Sequence, residues 1–551
     1  MSVLVGVDEG IFASENFGNF YTHLGFMRII WITGIKKREC YGKISVMIFI
    51  PKKLRFIFQI DRGSNMNSQN MINILQRDAE NISALTESVQ RYAAEYLQRL
   101  DAAPTDKAVS ILPPLSLPEA GWGAASVLTY IREQMQSLFV ATSGARYWGF
   151  VQGGVTPAAL LGDWITSMLD QNTQSLNGPG DMSALVEEQT IGMIRELFDL
   201  PAHFKGGFVT GATMSNFTCL AVARQWAGVK AGRDVAREGL AQSFGDETSS
   251  PVILSATPHS SALKSLSMLG LGSSNVVIVQ KPTGREAMDI LDVEKHLKAN
   301  EGKPIIVISS GGTVNTVDYD DMLALRDLHR KYSFWWHIDA AFGAFAACSP
   351  AHKHLLDGWE EADSITVDCH KWLNVPYDSA VFFVHERYAA LQMQTFQNSN
   401  APYLGNPADN FSYLNFVPEN SRRFRALPAW CTLVGYGKEG YREIVERNIA
   451  LAGQLGERIS TSTMFALQAP VRLNVVCFSV KDVSGISLEK EVLMRFLDTL
   501  NHRGTVFMTP TLYNGAWCLR AALVNWQTQQ KDVEIAWNEL CAVYEAEMKQ
   551  K

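Results

Sequence analysis

Four short apolar runs in the middle of this 551-residue sequence each end in residues able to do chemistry. Residues 252–256 (VILSA) lead into Thr257, Pro258, His259, Ser260 and Ser261 at the expected start of a helix. Residues 305–309 lead into Ser310-Gly311-Gly312-Thr313, whose glycines let backbone approach a ligand closely. Residues 334–338 end in Asp339-Ala340-Ala341, and residues 364–367 in Asp368-Cys369-His370-Lys371-Trp372. An acid or a lysine behind an apolar strand is costly to bury without a partner. Desolvation there favours the neutral amine that a nucleophilic lysine needs. Taken singly, each has a plainer reading: His259 as a helix cap, the glycines as an ordinary turn, Lys371 as a surface residue or half of an ion pair.

Ahead of these lies Gly206-Gly207-Phe208-Val209-Thr210-Gly211-Ala212-Thr213-Met214-Ser215-Asn216, opening an apolar helix through Trp226. Small residues at a helix start make an anion site, because free N–H groups and the helix dipole both favour phosphate. The spacing matches neither the lysine-bearing phosphate loop nor the dinucleotide turn. Together the five features answer the needs of one cofactor, pyridoxal 5′-phosphate (PLP). It requires a lysine for a Schiff base, an acid at the ring nitrogen and a phosphate cradle. A flat residue such as His259 would cover the ring face.

Such residues must be held by a sheet whose strands end at one edge, since ligands of open α/β sheets bind beyond the carboxyl ends of strands. Between about 150 and 440, helical segments alternate with short apolar runs bounded by Gly, Ser and Thr, which predicts a large, mainly parallel α/β domain over 151–440. Residues 441–551 predict a smaller α+β domain, with a helix over 441–459, strands at 473–480 and 517–524, and a terminal helix. Residues 71–150 predict an N-terminal helical segment, with Leu75, Ile82, Leu85, Val89, Tyr92 and Leu97 at three- and four-residue steps. Pro104, Pro113, Pro114 and Pro118 then mark a linker-like stretch. Residues 1–70 are expected to lie outside the fold. The first 65 carry nine Lys/Arg against five Asp/Glu, a net +4 in a chain of net charge -7. An extension from an upstream start, with Met66 or Met71 as true starts, is preferred to a targeting segment.

Composition narrows the class. At 47% hydrophobic and 19% charged the chain is globular, and its acidic balance gives no basic stripe for nucleic acid. No run reaches the roughly 20 apolar residues of a membrane span: Arg28 breaks residues 24–35, and Pro51, Lys52, Lys53 and Arg55 break 44–60. Eight scattered cysteines form no metal-type pairs and suit a reducing compartment. The expectation is a cytoplasmic protein with no metal, nucleic-acid or membrane partner.

Residues 363–372 (DSITVDCHKW) resemble the PLP-lysine signature of the group II amino-acid decarboxylases, the family of the glutamate, aromatic, histidine and 2,4-diaminobutyrate decarboxylases. His337-Ile338-Asp339-Ala340-Ala341 resembles the family's pyridinium-acid motif and Pro258-His259-Ser260-Ser261 its ring-stacking histidine. Ser421-Arg422-Arg423-Phe424 and Leu519-Arg520 resemble further landmarks, and the similarity runs from about Met71 to the C-terminus. The resemblance implies the PLP-dependent transferase fold type I (aspartate-aminotransferase-like). It also implies a homodimer with active sites at the subunit interface, and decarboxylation of an L-amino acid to its amine and CO2. Lys371 would be the Schiff-base lysine, with His370 beside it contacting the phosphate. Asp339 would pair with the ring nitrogen, Ala341 would pack beneath the ring, and His259 would stack above it. Ala212 and Thr213 would lie in the phosphate loop, with Ser310 and Thr313 close to the cofactor.

The family also carries, on a mobile loop, a tyrosine that returns a proton to the substrate carbon. Residues 397–420 are polar and turn-rich, as a lid should be. Tyr413, nine residues before Arg422, stands at the implied place and would act from the partner subunit, and Tyr403 competes with it. Phenylalanine there is associated with aldehyde-forming relatives, so a tyrosine favours simple decarboxylation. Gly144-Ala145-Arg146-Tyr147-Trp148-Gly149-Phe150 departs from the family's usual His-Pro-x-Phe, and Gly178-Pro179-Gly180-Asp181 from its Ser-Pro-Ala-x. Both lie where substrate would be read. Tyr147, Trp148 and Phe150 read either as an aromatic substrate pocket or as core packing. The rival functions are other fold-type-I chemistry (aldehyde synthase, carbon–carbon lyase, aminotransferase) and a catalytically silent homologue.

Overall fold

In the computed structural model, residues 68–107, 112, 114–174, 176, 182–245, 249–397 and 411–548 are described. Four short strands precede them, pairing Val5–Gly6 with Ile11–Phe12 and Lys43–Met47 with Ile57–Asp61. The rest of 1–67, the turn 178–181 and most of the expected lid, with Tyr403, lie outside the described residues. The chain divides into two compact units, residues 1–89 with 114–131 and residues 90–113 with 132–551. The first holds the helices Ser68–Glu80 and Ala124–Tyr130, where the Ala124 N–H donates to Asp78 Oδ2 at 2.7 Å.

The second unit is built on two sheets. Its larger sheet takes seven strands: β1 (Phe204–Val209), β2 (Val252–Ser255), β3 (Val276–Ile278), β4 (Ile305–Ser310), β5 (Trp335–Asp339), β6 (Ser364–Val367) and β7 (Ala380–His385). Their order is β1-β7-β6-β5-β4-β2-β3. Strands β3, β2, β4, β5 and β6 run parallel, whereas β7 is antiparallel to both β6 and β1. This is the mainly parallel α/β sheet expected from the alternating runs. Near-continuous apolar sequence follows because both faces are covered. The inner strands β4 and β5 are buried along almost their whole length. The helix Ala212–Lys230 packs across β6 and β7, and thirteen of its residues are buried, leaving no solvent face for sequence to mark.

A second sheet, entirely antiparallel, is formed by β8 (Phe465–Leu467), β9 (Val475–Val480), β10 (Thr509–Tyr513) and β11 (Ala516–Ala522) in the order β8-β9-β11-β10. It is the expected α+β arrangement, with the helices Lys490–His502 and Gln530–Met548 contributing to a shared apolar core. The helix expected at 441–459 is present, and a second helix from Ala426 precedes it, with Pro428 in that helix's first turn, where proline is tolerated. The two meet at Gly437, whose non-helical backbone, with a φ of 60°, separates them. Among the described residues no helix is long and apolar enough to cross a membrane.

Candidate active site

Sheet register brings the chemistry to one place. Asp339 at the end of β5 pairs with Ser310 on β4 and with Thr366 on β6, so the three strand ends lie side by side. Beyond them opens a cavity of about 380 Å³. Lys371, Asp339, His259, Ala341, Ser310 and Thr313 all line it, although they come from four separate strand ends.

Lys371 Nζ lies 3.3 Å from Asp368 Oδ2 and 5.8 Å from the Phe342 ring centre. Burial acts to raise the Asp368 carboxyl, yet Lys371 and His370 beside it hold it below its usual range. His370 presents Nε2 to Asp368 Oδ1 at 3.1 Å while Nδ1 accepts from the Ser379 N–H, and its ring stacks on Tyr377. His370 also touches the phosphate turn, since a Cβ on Gly211 would lie 3.4 Å from its Cε1. Gly211 precedes the helix Ala212–Lys230, so Ala212 and Thr213 supply first-turn N–H groups that have no acceptor within the helix. Neither they nor His370 line the cavity.

His259 caps the helix Ser260–Met268, its Nδ1 accepting from the Ser261 N–H at 3.2 Å. Cap and cavity wall are therefore the same residue, and the two sequence readings do not compete. Burial pushes its imidazole below the usual value, favouring the neutral ring. Asp339 Oδ1 accepts from the Ala341 N–H at 3.3 Å, and Oδ2 accepts from Asn216 Nδ2 at 3.0 Å. Asn216 also donates to Ser261 Oγ and accepts from His337, and all of Asn216 and His337 is buried. Neither was singled out by sequence. The available signals were that His337 precedes Asp339 by two residues, on the same strand face, and that Asn216 closes the phosphate-turn run.

Thr313 is less free than the resemblance implies. Its hydroxyl donates to buried Glu286 at 2.5 Å and accepts from the Asp318 N–H, so it shapes the cavity wall through Glu286. Arg520 on β11 also lines the cavity, 8% exposed, donating from Nη1 to Val314 O and Asn315 Oδ1. Its Nε finds no protein partner.

Tyr413 is not brought to this cavity. It opens a short helical turn, is 2% exposed, and places its ring 4.9 Å from the Arg422 guanidinium. Burial pushes its phenol well above the usual range. Arg422 in turn pairs with fully buried Glu187 at 2.6 Å, and the two bracket Phe208 of β1 by hydrogen bonds to its N–H and carbonyl. The Arg-Arg landmark thus anchors the strand that leads into the phosphate turn. In the expected aromatic pocket, Trp148 belongs to the core of the smaller sheet and Tyr147 stacks flat on Phe507, while Phe150 is 61% exposed. None of the three lines the cavity, which leaves packing as the reading for Tyr147 and Trp148.

The residues present fit PLP. Asp339 is a buried carboxylate at the cavity, and among the described residues no lysine, arginine or histidine stands at ion-pair distance from it, as a protonated ring nitrogen would require. The primary amine of Lys371 opens into the same space. The profile of the pyridoxal-dependent decarboxylase conserved domain matches residues 110–481. The aromatic-L-amino-acid decarboxylase of Catharanthus roseus is 25% identical over 411 residues, covering 71% of this chain and 78% of that one. The L-2,4-diaminobutyrate decarboxylase of Rhizobium meliloti is 27% identical over 418 residues, covering 74% and 80%. The crystal structure of Catharanthus roseus tryptophan decarboxylase in complex with L-tryptophan superposes with a TM-score of 0.73 at 20% identity, covering 88% of this chain and all of that one, a likeness of fold. The chain belongs to the pyridoxal-dependent decarboxylase family, with the PLP-dependent transferase fold type I, and it is a PLP-dependent amino-acid decarboxylase.

Proposed function

We propose that the cavity around Lys371 converts an L-amino acid to its amine and CO2, with the amine, not an aldehyde, as the organic product. The observation that carries this is the meeting of Lys371, Asp339 and His259 at one cavity. When bound, PLP supplies a conjugated cationic ring that accepts the electrons of the Cα–carboxylate bond. Lys371 would hold the cofactor through Nζ, and at that atom it is placed to carry a proton within the cavity. Asp339 would keep positive charge at the ring nitrogen, and His259 and Ala341 would cover the ring faces. Ala212, Thr213 and His370 would hold the phosphate, with Ser310 at the cavity wall. Arg520, with a free Nε, offers the cavity's guanidinium to an anionic group of the substrate.

With a panel of acidic, aromatic and basic amino acids, CO2 and amine are expected in equal amounts. Aldehyde with peroxide in their place would overturn the assignment in favour of an aldehyde synthase. The buried Tyr413 phenol acts here as packing, so Tyr413→Phe should keep the wild-type amine yield and lower thermal stability instead.

We further propose that the enzyme works as a homodimer. The helix Pro157–Leu169 leaves Leu161, Trp164, Ile165 and Met168 between 39% and 74% exposed, at the steps of one helical face. Leu75, Ile82 and Val89 are likewise exposed along their own helices. A second copy of the chain is the occupant that fits two such stripes. Each large apolar side chain covered contributes about 1.5–3 kcal/mol. The double variant Trp164→Asp/Met168→Glu should therefore weaken dimerisation by roughly 10²–10⁴-fold, yielding monomers in sedimentation velocity. A dimer that persists unchanged would place the interface elsewhere. The seven described cysteines are free thiols, which suits the reducing cytoplasm, a location that cell fractionation of the tagged chain would check.

A further inference from the structure

A single buried line of hydrogen bonds joins the residue beneath the ring nitrogen to the residue above the ring face. Its direction is set from the Asp339 end. A carboxylate only accepts, so Asn216 turns Nδ2 toward Asp339 and Oδ1 toward His337 Nε2. Burial pushes His337 down to about 4, so the ring carries one proton, which the Asn216 oxygen places on Nε2. Nδ1 then accepts from Ser364 Oγ at 2.9 Å, and Ser364 Oγ accepts from the Trp335 indole N–H at 3.0 Å. His337 Nε2 donates to Asn216 Oδ1 at 2.9 Å. That contact orients the amide, and its two N–H bonds point to Asp339 Oδ2 at 3.0 Å and Ser261 Oγ at 3.1 Å. Ser261 Oγ, already accepting, turns its proton to His259 Nδ1 at 2.7 Å. His259 is left with its proton on Nε2.

We propose that His337 and Asn216 are positioning residues for the cofactor, one amide fixing both the acid at the ring nitrogen and the histidine over the ring. The amide gives one N–H to each side, so a rotation that loses one contact loses the other. His337 is what prevents that rotation, because a flipped amide would aim an N–H at the His337 donor. Asn216 lies wholly buried on the helix Ala212–Lys230, whose first turn offers the phosphate site. Ring and phosphate are thereby referred to the same rigid element. The inference rests on the PLP reading of the cavity and adds to it two residues that do not line the cavity.

The test is cofactor binding by the apoenzyme, read by quenching of tryptophan emission. Two ligands are compared, PLP and its 1-deaza analogue, in which C–H replaces the ring nitrogen. His337→Gln keeps a donor near the Nε2 position, whereas His337→Asn, of similar polarity, is too short to reach Asn216. Asn216→Leu removes both donors. His337→Asn and Asn216→Leu should lose PLP affinity by about ten- to hundredfold, the worth of a hydrogen bond to a charged group. They should lose clearly less affinity for the deaza analogue, which keeps only the His259 side of the line, while His337→Gln stays near wild type. Equal losses for both ligands, or His337→Asn matching His337→Gln, would show the pair to be ordinary core packing. Wild-type protein binding neither ligand would overturn the reading of the site, and this inference with it.

Discussion

Lys371→Ala should abolish turnover, lowering CO2 release by about 10⁴-fold or more, the upper end of what a proton-transfer group supplies. Among the described residues no other lysine lines the cavity, so the proposed nucleophile and proton carrier go at once. The same substitution strips Asp368 of its ammonium partner at 3.3 Å and leaves a carboxylate that is 3% exposed with His370 alone beside it. Removing one member of a buried pair costs about 3–5 kcal/mol, so lost activity alone would not separate chemistry from stability. Lys371→Arg separates them. A guanidinium restores the charge beside Asp368, yet it stays protonated and is no nucleophile. The arginine variant should therefore melt close to wild type and be as inactive as the alanine variant. Borohydride treatment of wild-type holoenzyme should fix the cofactor on the peptide bearing Lys371, and neither variant should carry a label. If Lys371→Ala turns over within tenfold of wild type, the lysine has been misassigned.

What could be read from sequence follows a physical line. Strand ends are legible in a parallel sheet, because an apolar run long enough for one strand stops where polar chemistry begins, as at Asp339 and Lys371. The pairing of Ser310, Asp339 and Thr366 then follows from strand order, which no local pattern encodes. Contacts across long sequence separations were out of reach. Thr313 was expected near the cofactor from the resemblance and does line the cavity, but Glu286, twenty-seven residues earlier, claims its hydroxyl. Asn216 and His337 meet across 121 residues, and nothing about either residue alone announces the other. Tyr413 shows the opposite hazard. Its spacing from Arg422 suggested the proton donor of the loop, yet the buried Glu187–Arg422 pair holds Tyr413 inward against β1, while residues 398–410 of the expected lid lie outside the described residues. A buried charge pair reverses the inference that polar sequence means an exposed loop. Trp148 makes the same point, since an aromatic run facing a substrate and one filling a core are spelled alike.

Asp339→Asn should leave the cofactor on Lys371 and still lower kcat by roughly 10²–10³-fold. The reason is charge, since size hardly changes. Asp339 is 9% exposed, its Oδ1 held by the Ala341 N–H and its Oδ2 by Asn216. With two donors already fixing it, the carboxylate is poised to stabilise one positive charge placed in the cavity. A neutral amide cannot do so, and its NH2 group would also oppose either the Asn216 donor or the Ala341 donor. Breaking a buried pair by neutralising one side costs about 3–5 kcal/mol. If that loss falls on the transition state, where electrons flow toward the ring nitrogen, it is about 10²–10³ in rate. Asp339→Glu keeps the charge but adds a methylene against Asn216, so it should recover part of the rate and disturb the line to His259. The decisive comparison is kcat against borohydride labelling at Lys371. An asparagine variant that keeps more than a tenth of the wild-type kcat would mean that the ring nitrogen does not depend on Asp339. One that loses the label as well would make Asp339 a determinant of cofactor binding more than of the chemical step.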